Sequence, residues 1–417
     1  MTTTTRTRCV IQYWIRALLF CQYLNPTQPN YPPLHQSISS IRTPAMSLLS
    51  LPNEIILEIC KDKNPQDLYS LVLTNRRLAN LLSHALVDSL FRSYYRRGAY
   101  ARKAFYSAAE REDKTMVRLL IEKGILDILG PGHRRLFSYV PEPHSGKAVR
   151  TLLDCGVSPE LRDSASWSMI HWAARYGAIT AVEEFVSRGE VAINVLDDDS
   201  YTPLYVASRD GRRSIVQAFV GCPRVDVNIA NAQLMTPLGV AAERGDVQMV
   251  KMLLEHAMIE SSLLGTHATA PIYLAARSAR VDVVRLLLRD GRCEVNWRSP
   301  AGRTALYAAA KRGNTMIVQL LVQDERVDVN IADNVGATPL YRAIKNGGGA
   351  VVQLLLSRDD IELDRVNTNG RTIFSLPRSE SLEVRRSLWD YVAATGKALV
   401  GNVNPWWNEY IREVDVE

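Results

Sequence analysis

The 417 residues contain no apolar run of the length a membrane-spanning helix needs, ~18 residues or more, so the sequence argues against a transmembrane segment. Cysteine is scarce. The six (Cys9, Cys21, Cys60, Cys155, Cys222, Cys293) are widely scattered and form no C-x-x-C pair. They read as packed thiols in a reducing compartment, cytoplasm or nucleus, and not as a disulfide framework. The seven histidines show no H-x-x-x-H spacing and no cysteine partner, so no metal site is expected. No G-x-S-x-G, kinase set or Cys–His signature occurs. Gly347-Gly348-Gly349 lacks the strand before it and the Lys-Ser/Thr after it that a phosphate loop requires. The chain therefore reads as non-catalytic and without a cofactor.

Acid is missing from one region. Residues 1–50 hold four arginines (Arg6, Arg8, Arg16, Arg42), no lysine and no carboxylate. The rest is nearly balanced, because the whole chain has 50 basic against 44 acidic side chains. The net charge of +6 is thus no argument for a nucleic-acid partner. Apolar residues make up 47% and charged residues 23%, the balance of a folded protein and not of a disordered one. Residues 1–45 combine a Thr run, an apolar stretch broken by Arg16 and a Pro/Gln/Ser-rich tail. They read as a disordered extension, or as sequence upstream of a true start at Met46. Mitochondrial targeting is the other reading, since scattered arginine without acid fits a transit peptide.

A 34-residue register runs through the second half. Thr202-Pro203-Leu204, Thr236-Pro237-Leu238 and Thr338-Pro339-Leu340 share it, and Ala270-Pro271-Ile272 and Thr304-Ala305-Leu306 fill the missing steps. Alanine recurs at Ala173, Ala207, Ala241, Ala275, Ala309 and Ala343, and valine at Val182, Val216, Val250, Val284, Val318 and Val352. Glycine recurs at Gly177, Gly211, Gly245, Gly313 and Gly347, with Ala279 the exception. Asparagine recurs at Asn194, Asn228, Asn296 and Asn330. Thr before Pro predicts a helix start, with the hydroxyl capping an orphan N–H and Pro in the first turn. Alanine permits close approach, and glycine ends the helix in a left-handed conformation. A second helix follows with its apolar face at i, i+3, i+4, as in Val250, Leu253 and Leu254. The segment from Ala332 to Ala337 suits a hairpin tip.

These columns resemble the ankyrin repeat, whose signature is T-P-L-H-x-A-A followed by G and a second helix. His171 fits the family's histidine, and Tyr205, Tyr273, Tyr307 and Tyr341 replace it elsewhere. The resemblance implies an all-α solenoid of helix pairs joined by short β-hairpin loops. Six regular repeats would fill 165–364, degenerate repeats 101–164, a degenerate cap 365–398 and a tail 399–417. A pair cannot bury its apolar face alone, so stability is expected to come from stacking. The resemblance also implies a concave groove that binds another protein, with the chain itself a monomer. Its candidate contact residues are Arg175, Tyr201, Arg209, Arg244, Arg277, Lys311, Arg312 and Lys345, most of them at the ends of first helices. They read either as a basic groove for an acidic partner or as plain solvated positions.

Residues 46–92 carry Leu51-Pro52-Asn53-Glu54-Ile55, Asp67-Leu68 and Thr74-Asn75-Arg76-Arg77-Leu78, three short amphipathic helices by pattern. This string resembles the F-box, as found at the head of fungal ankyrin proteins. The resemblance implies docking on a Skp-type adaptor of a cullin ubiquitin ligase through Leu51, Pro52, Ile55, Ile59, Leu68 and Leu71. The alternative is a plain N-terminal cap on an ankyrin scaffold with no ubiquitin role. Trp406-Trp407 belongs to no repeat and is read as a lid folding back on the last one, or as an anchor for a partner.

Overall fold

A computed structural model describes residues 53–60, 68, 71, 77–78, 81–82, 85–86, 97–126, 145–256 except 164, 269–375 and 382–395. The expectations for residues 1–45, for Leu51 and Pro52 and for Trp406-Trp407 lie outside the described residues. Cα packing divides the chain into two units, 1–108 with 115–129, and 109–114 with 130–417.

The first unit holds α1 (Asn53–Cys60) and most of α2 (Arg97–Glu110) and α3 (Lys114–Glu122). Asn53 Oδ1 accepts a hydrogen bond from Arg77 Nη2 at 2.7 Å. Ile56, Cys60, Leu68, Leu78, Leu82 and Leu86 are all buried, as are Phe105, Met116, Val117 and Leu120 further along. Leu57 remains exposed and Leu71 half-buried.

The second unit is a series of helix pairs. The lone α4 (Gly146–Asp154) is followed by α5 (Met169–Tyr176) and α6 (Ile179–Ser187), α7 (Pro203–Asp210) and α8 (Arg213–Val220), and α9 (Pro237–Arg244) and α10 (Val247–Leu254). Then come α11 (Pro271–Arg277) and α12 (Val281–Asp290), α13 (Ala305–Arg312) and α14 (Thr315–Val322), and α15 (Pro339–Lys345) and α16 (Gly349–Leu356). A 3-10 turn, Ile373–Ser375, and α17 (Leu382–Thr395) follow. First helices pack on first helices and second on second, each pair on the next, and α17 packs on α16. The hairpin loops are tight turns. Among the described residues the structure has no strand, only an isolated bridge between Arg162 and Ser168.

Each sequence column has a local cause. The Thr202, Thr236, Thr304 and Thr338 hydroxyls accept from the backbone N–H three residues on, at 3.0–3.2 Å. Ser168 does the same work in a capping box with His171, and Ala270 leaves its helix without a side-chain cap. Losing such a cap costs about 1 kcal/mol. The alanines Ala173, Ala207, Ala241, Ala275, Ala309 and Ala343 are completely buried where first helices meet, and the valine column is buried between second helices. Ala279, the exception in the glycine column, is held at φ 58° all the same, so the fold imposes the left-handed turn on a residue that resists it.

Candidate functional site

The surface available for binding is whatever the framework leaves over. The framework uses three polar columns. One sits in the tips, where Asp163, Asp197, Asn231, Asp333 and Asn367 each accept two backbone N–H groups of their own turn at 2.7–3.1 Å. A second is the asparagine column. Asn194, Asn296 and Asn330 donate to the carbonyls of Arg224, Arg326 and Asp360, and accept from the N–H groups of Asp226, Asp328 and Glu362. Each amide thus ties one loop to the same loop of the next repeat.

The third column is arginine. Arg224, Arg292, Arg326 and Arg358 reach back to carbonyls at the end of the preceding second helix, Arg224 to Val186 and Arg188 and Arg326 to Leu288 and Gly291. A cation there also opposes the negative end of the helix dipole. Arg292 and Arg326 are held by Asp290 and Asp324 at 2.8 and 2.7 Å, and Arg358 by Asp360 at 2.7 Å. Their guanidinium groups bond these carboxyls and hold them below the usual range.

First-helix position three binds the neighbouring tip. Tyr307, fully buried, donates to Asp333 Oδ2 at 2.6 Å and accepts from Arg342 Nε at 2.6 Å. Burial alone would push the Asp333 carboxyl up, but the Tyr307 hydroxyl, two backbone N–H groups and Arg342 leave it below its ordinary value. Burial and that carboxylate push the Tyr307 phenol up. Tyr205 accepts from Asn231 at 3.0 Å, and burial takes its phenol up to about 12. His171 is buried; Ser168 N–H points at its Nδ1, which leaves Nε2 to donate to the Tyr201 carbonyl at 2.9 Å. Burial lowers the His171 pKa, with the Tyr201 contact opposing.

What remains is a surface of tips and first-helix ends. Arg175 is exposed and lies over the Trp167 and Trp172 rings at 5.4 and 5.9 Å. Tyr201 stacks on Tyr205 at 4.8 Å, and Arg209 sits over Tyr201 at 5.2 Å while pairing with Asp210. Arg277 pairs with Glu243 at 2.6 Å and lies over Tyr273. These half-exposed pairs contribute about 0–1 kcal/mol each. Arg244 belongs to the framework, because its Nη1 donates to the Arg209 carbonyl at 2.7 Å, as Arg212 and Arg280 do to Arg175 and Glu243. Lys311, Arg312 and Lys345 are exposed. The tips add exposed Leu196, Leu234, Val335 and Val366, which the sequence reading had not singled out. Their signal was apolar residues inside a turn-forming segment.

The F-box-like residues are separately placed. Leu68 is 1% exposed and Leu71 half-buried, and the side chains of Ile55 and Ile59 lie outside what is described. Among the described residues no three His, Cys, Asp or Glu side chains gather as a metal site, and no helix is long and apolar enough to cross a membrane.

A family model described as Ankyrin repeats (3 copies) matches residues 138–231, 214–298 and 291–367, together more than half of the chain. Among solved structures, the human ASB11 ankyrin repeat domain is 23% identical with a TM-score of 0.45, the match covering 54% of this chain and 97% of that one. The ankyrin repeat domain of Bcl-3, a member of the IkappaB protein family, gives 21% identity and 0.47 over 54% and 98%. The ankyrin repeat protein EF0377 gives 26% and 0.42 over 46% and 97%. No curated protein sequence matches the chain significantly.

Proposed function

From the premise that this chain belongs to the ankyrin-repeat family, whose repeats generally mediate protein–protein interaction, we propose that it is a non-catalytic adaptor that grips a protein partner with its tips and first-helix ends. The observation that carries this reading is the division of labour among polar residues. The asparagine, arginine and tip-aspartate columns are consumed in joining repeats, and the exposed cations and apolar tips contribute nothing comparable to the frame. Such a surface positions a partner and supplies no chemistry of its own.

The finer reading is a substrate receptor: residues 46–92 dock a Skp-type adaptor of a cullin ubiquitin ligase, and the repeats present a target. The F-box-like string supports it, together with the accessible Leu57 and Leu71. Co-purification of a Skp-type adaptor from the native host, lost on Leu51→Asp with Pro52→Ala, is the test. An adaptor absent from the wild-type preparation would refute the receptor reading.

One observation favours the alternative of a scaffold with no ubiquitin role. Leu68, Leu78, Leu82 and Leu86 are each at most 2% exposed, so they are spent on packing and not presented to an adaptor. On that reading, deleting 46–92 lowers thermal stability and leaves the partner bound. We place the protein in the cytoplasm or nucleus. The six cysteines are few and widely scattered, which suits a reducing compartment.

A further inference from the structure

The first-helix ends carry basic residues in one register, but their surroundings change along the array. In the earlier repeats the residue before each capping hydroxyl is aromatic, Trp167 and then Tyr201, and the helix-end arginine lies over it. Arg277 has Tyr273 beneath it and Glu243 beside it. Those cations are seated within the fold.

The last two first helices differ. The residues before the caps are Arg303 and Ala337, so no ring lies at that position under Lys311 or Lys345. Lys311, Arg312 and Lys345 are exposed, and among the described residues they make no side-chain hydrogen bond or ion pair. Asn346 Nδ2 donates to the Lys311 carbonyl, which brings the ends of α13 and α15 side by side. Arg303 lies over Tyr307 at 5.7 Å, and its Nε is buried without a hydrogen-bond partner. Three cations therefore stand at the adjoining helix ends, and among the described residues no carboxylate neutralises them; Asp333 is committed to Tyr307, Arg342 and its own turn. The tips that follow these two helix pairs expose Val335 at 51% and Val366 at 58%. Exposing valine there does nothing for the core, and exposed apolar side chains and unpaired charge on successive repeats are the makings of an interface.

Building on the protein-binding reading, we infer that this end of the array takes an acidic amphipathic segment of a partner protein. Its carboxylates face Lys311, Arg312 and Lys345, and its apolar side chains cover Val335 and Val366. The occupant is chosen by charge complementarity. A basic segment would meet three like charges, and a wholly apolar one would bury them unpaired.

The test is fluorescence anisotropy with the full chain at ~0.15 M salt. The probe is a fluorescein-labelled peptide of Leu and Glu at helical spacing, compared with its Lys-for-Glu counterpart. The Glu peptide binds and the Lys peptide does not. Lys311→Glu with Lys345→Glu weakens binding by about tenfold or more, and Val335→Ser with Val366→Ser weakens it as well. Lys251→Glu with Arg289→Glu, the same charge change at exposed positions on second helices, leaves it within about twofold. Equal losses from the two charge reversals, or peptides that bind alike, would overturn the inference. Binding that appears only after residues 396–417 are removed would also overturn it, in favour of the chain's own acidic end (Glu409, Glu413, Asp415, Glu417) as occupant. A native partner that needs the tips but ignores the Lys311/Lys345 reversal removes this inference and leaves the protein-binding reading standing.

Discussion

Tyr205 and Tyr307 occupy one register position and make the same kind of contact with the next tip, but with different partners. Tyr205 accepts from a neutral amide, Asn231 at 3.0 Å. Tyr307 stands between two ions, donating to Asp333 and accepting from Arg342, both at 2.6 Å. A neutral hydrogen bond contributes about 1 kcal/mol net and one to a charged group about 1.5–3. Tyr205→Phe should therefore cost about 1 kcal/mol. Tyr307→Phe should cost about 3, because the buried carboxylate loses its nearest donor and Arg342 Nε its acceptor. The cost is local, so native-state hydrogen exchange is the assay. The reporters are Val335 and Ala337, whose N–H groups donate to Asp333 Oδ1 at 3.1 and 2.9 Å, and Gln233 and Met235, which donate to Asn231 Oδ1 at 3.0 and 2.8 Å. At 1.4 kcal/mol per tenfold, Tyr307→Phe lowers protection at its tip about a hundredfold and Tyr205→Phe lowers it about fivefold. Equal effects at the two tips would refute the claim that charge, and not register, sets the strength of the link.

Backbone strain gives a second set of expectations. Ala279 and Leu234 sit at φ 58° and 60°, where a Cβ costs about 1–2 kcal/mol. Ala279→Gly should raise the urea midpoint by the equivalent of about 0.5–1 kcal/mol after the entropy cost of glycine; a lower midpoint would contradict the strain argument. Gly336→Ala should cost more than Gly370→Ala, because a Cβ at 336 meets Asn367 Cα at 2.7 Å and one at 370 meets nothing within 4 Å. For pH, the folded state holds His171 neutral with its pKa lowered by burial. Between that lowered value and its ordinary value of 6.5 the unfolded chain binds the extra proton, so stability falls as pH drops through this window. His171→Gln should flatten the loss, read as the urea midpoint against pH. The carboxyls Asp154 and Glu184, lowered chiefly by hydrogen bonds from Arg188, Lys114 and Arg150, contribute stability that is lost only in stronger acid.

The helices were readable because each boundary has its own residue. Thr-Pro marks the start and Gly the end, and the 34-residue spacing repeats the message until substitutions such as Ala270 and Ala279 cannot hide it. The joints between repeats were harder to read. The asparagine column was visible, but its partners lie 30 and 32 residues further on, and only the stacked fold brings them together. The arginine column was half hidden. Arg292 and Arg326 keep the spacing, but Arg358 comes two residues early because the acid and base have exchanged places around residue 359. Side-chain length restores the geometry that the register loses. Register put Arg175, Arg209 and Arg277 at first-helix ends, where the structure has them, but it gave no means of separating seated cations from unseated ones. That depends on the ring or acid supplied by a neighbouring loop. Arg244 is an exposed cation that also serves as a joint, since its carbonyl acceptor lies in the preceding repeat.

The most direct measurement is site-specific photo-crosslinking in the native host, with the photoreactive residue placed in turn at Val335, at Lys345 and at Met316, an exposed position on the second helix α14. An adaptor that grips through tips and first-helix ends yields one protein adduct at positions 335 and 345 and none at 316. Adducts of equal yield at all three positions, or at 316 alone, would contradict it.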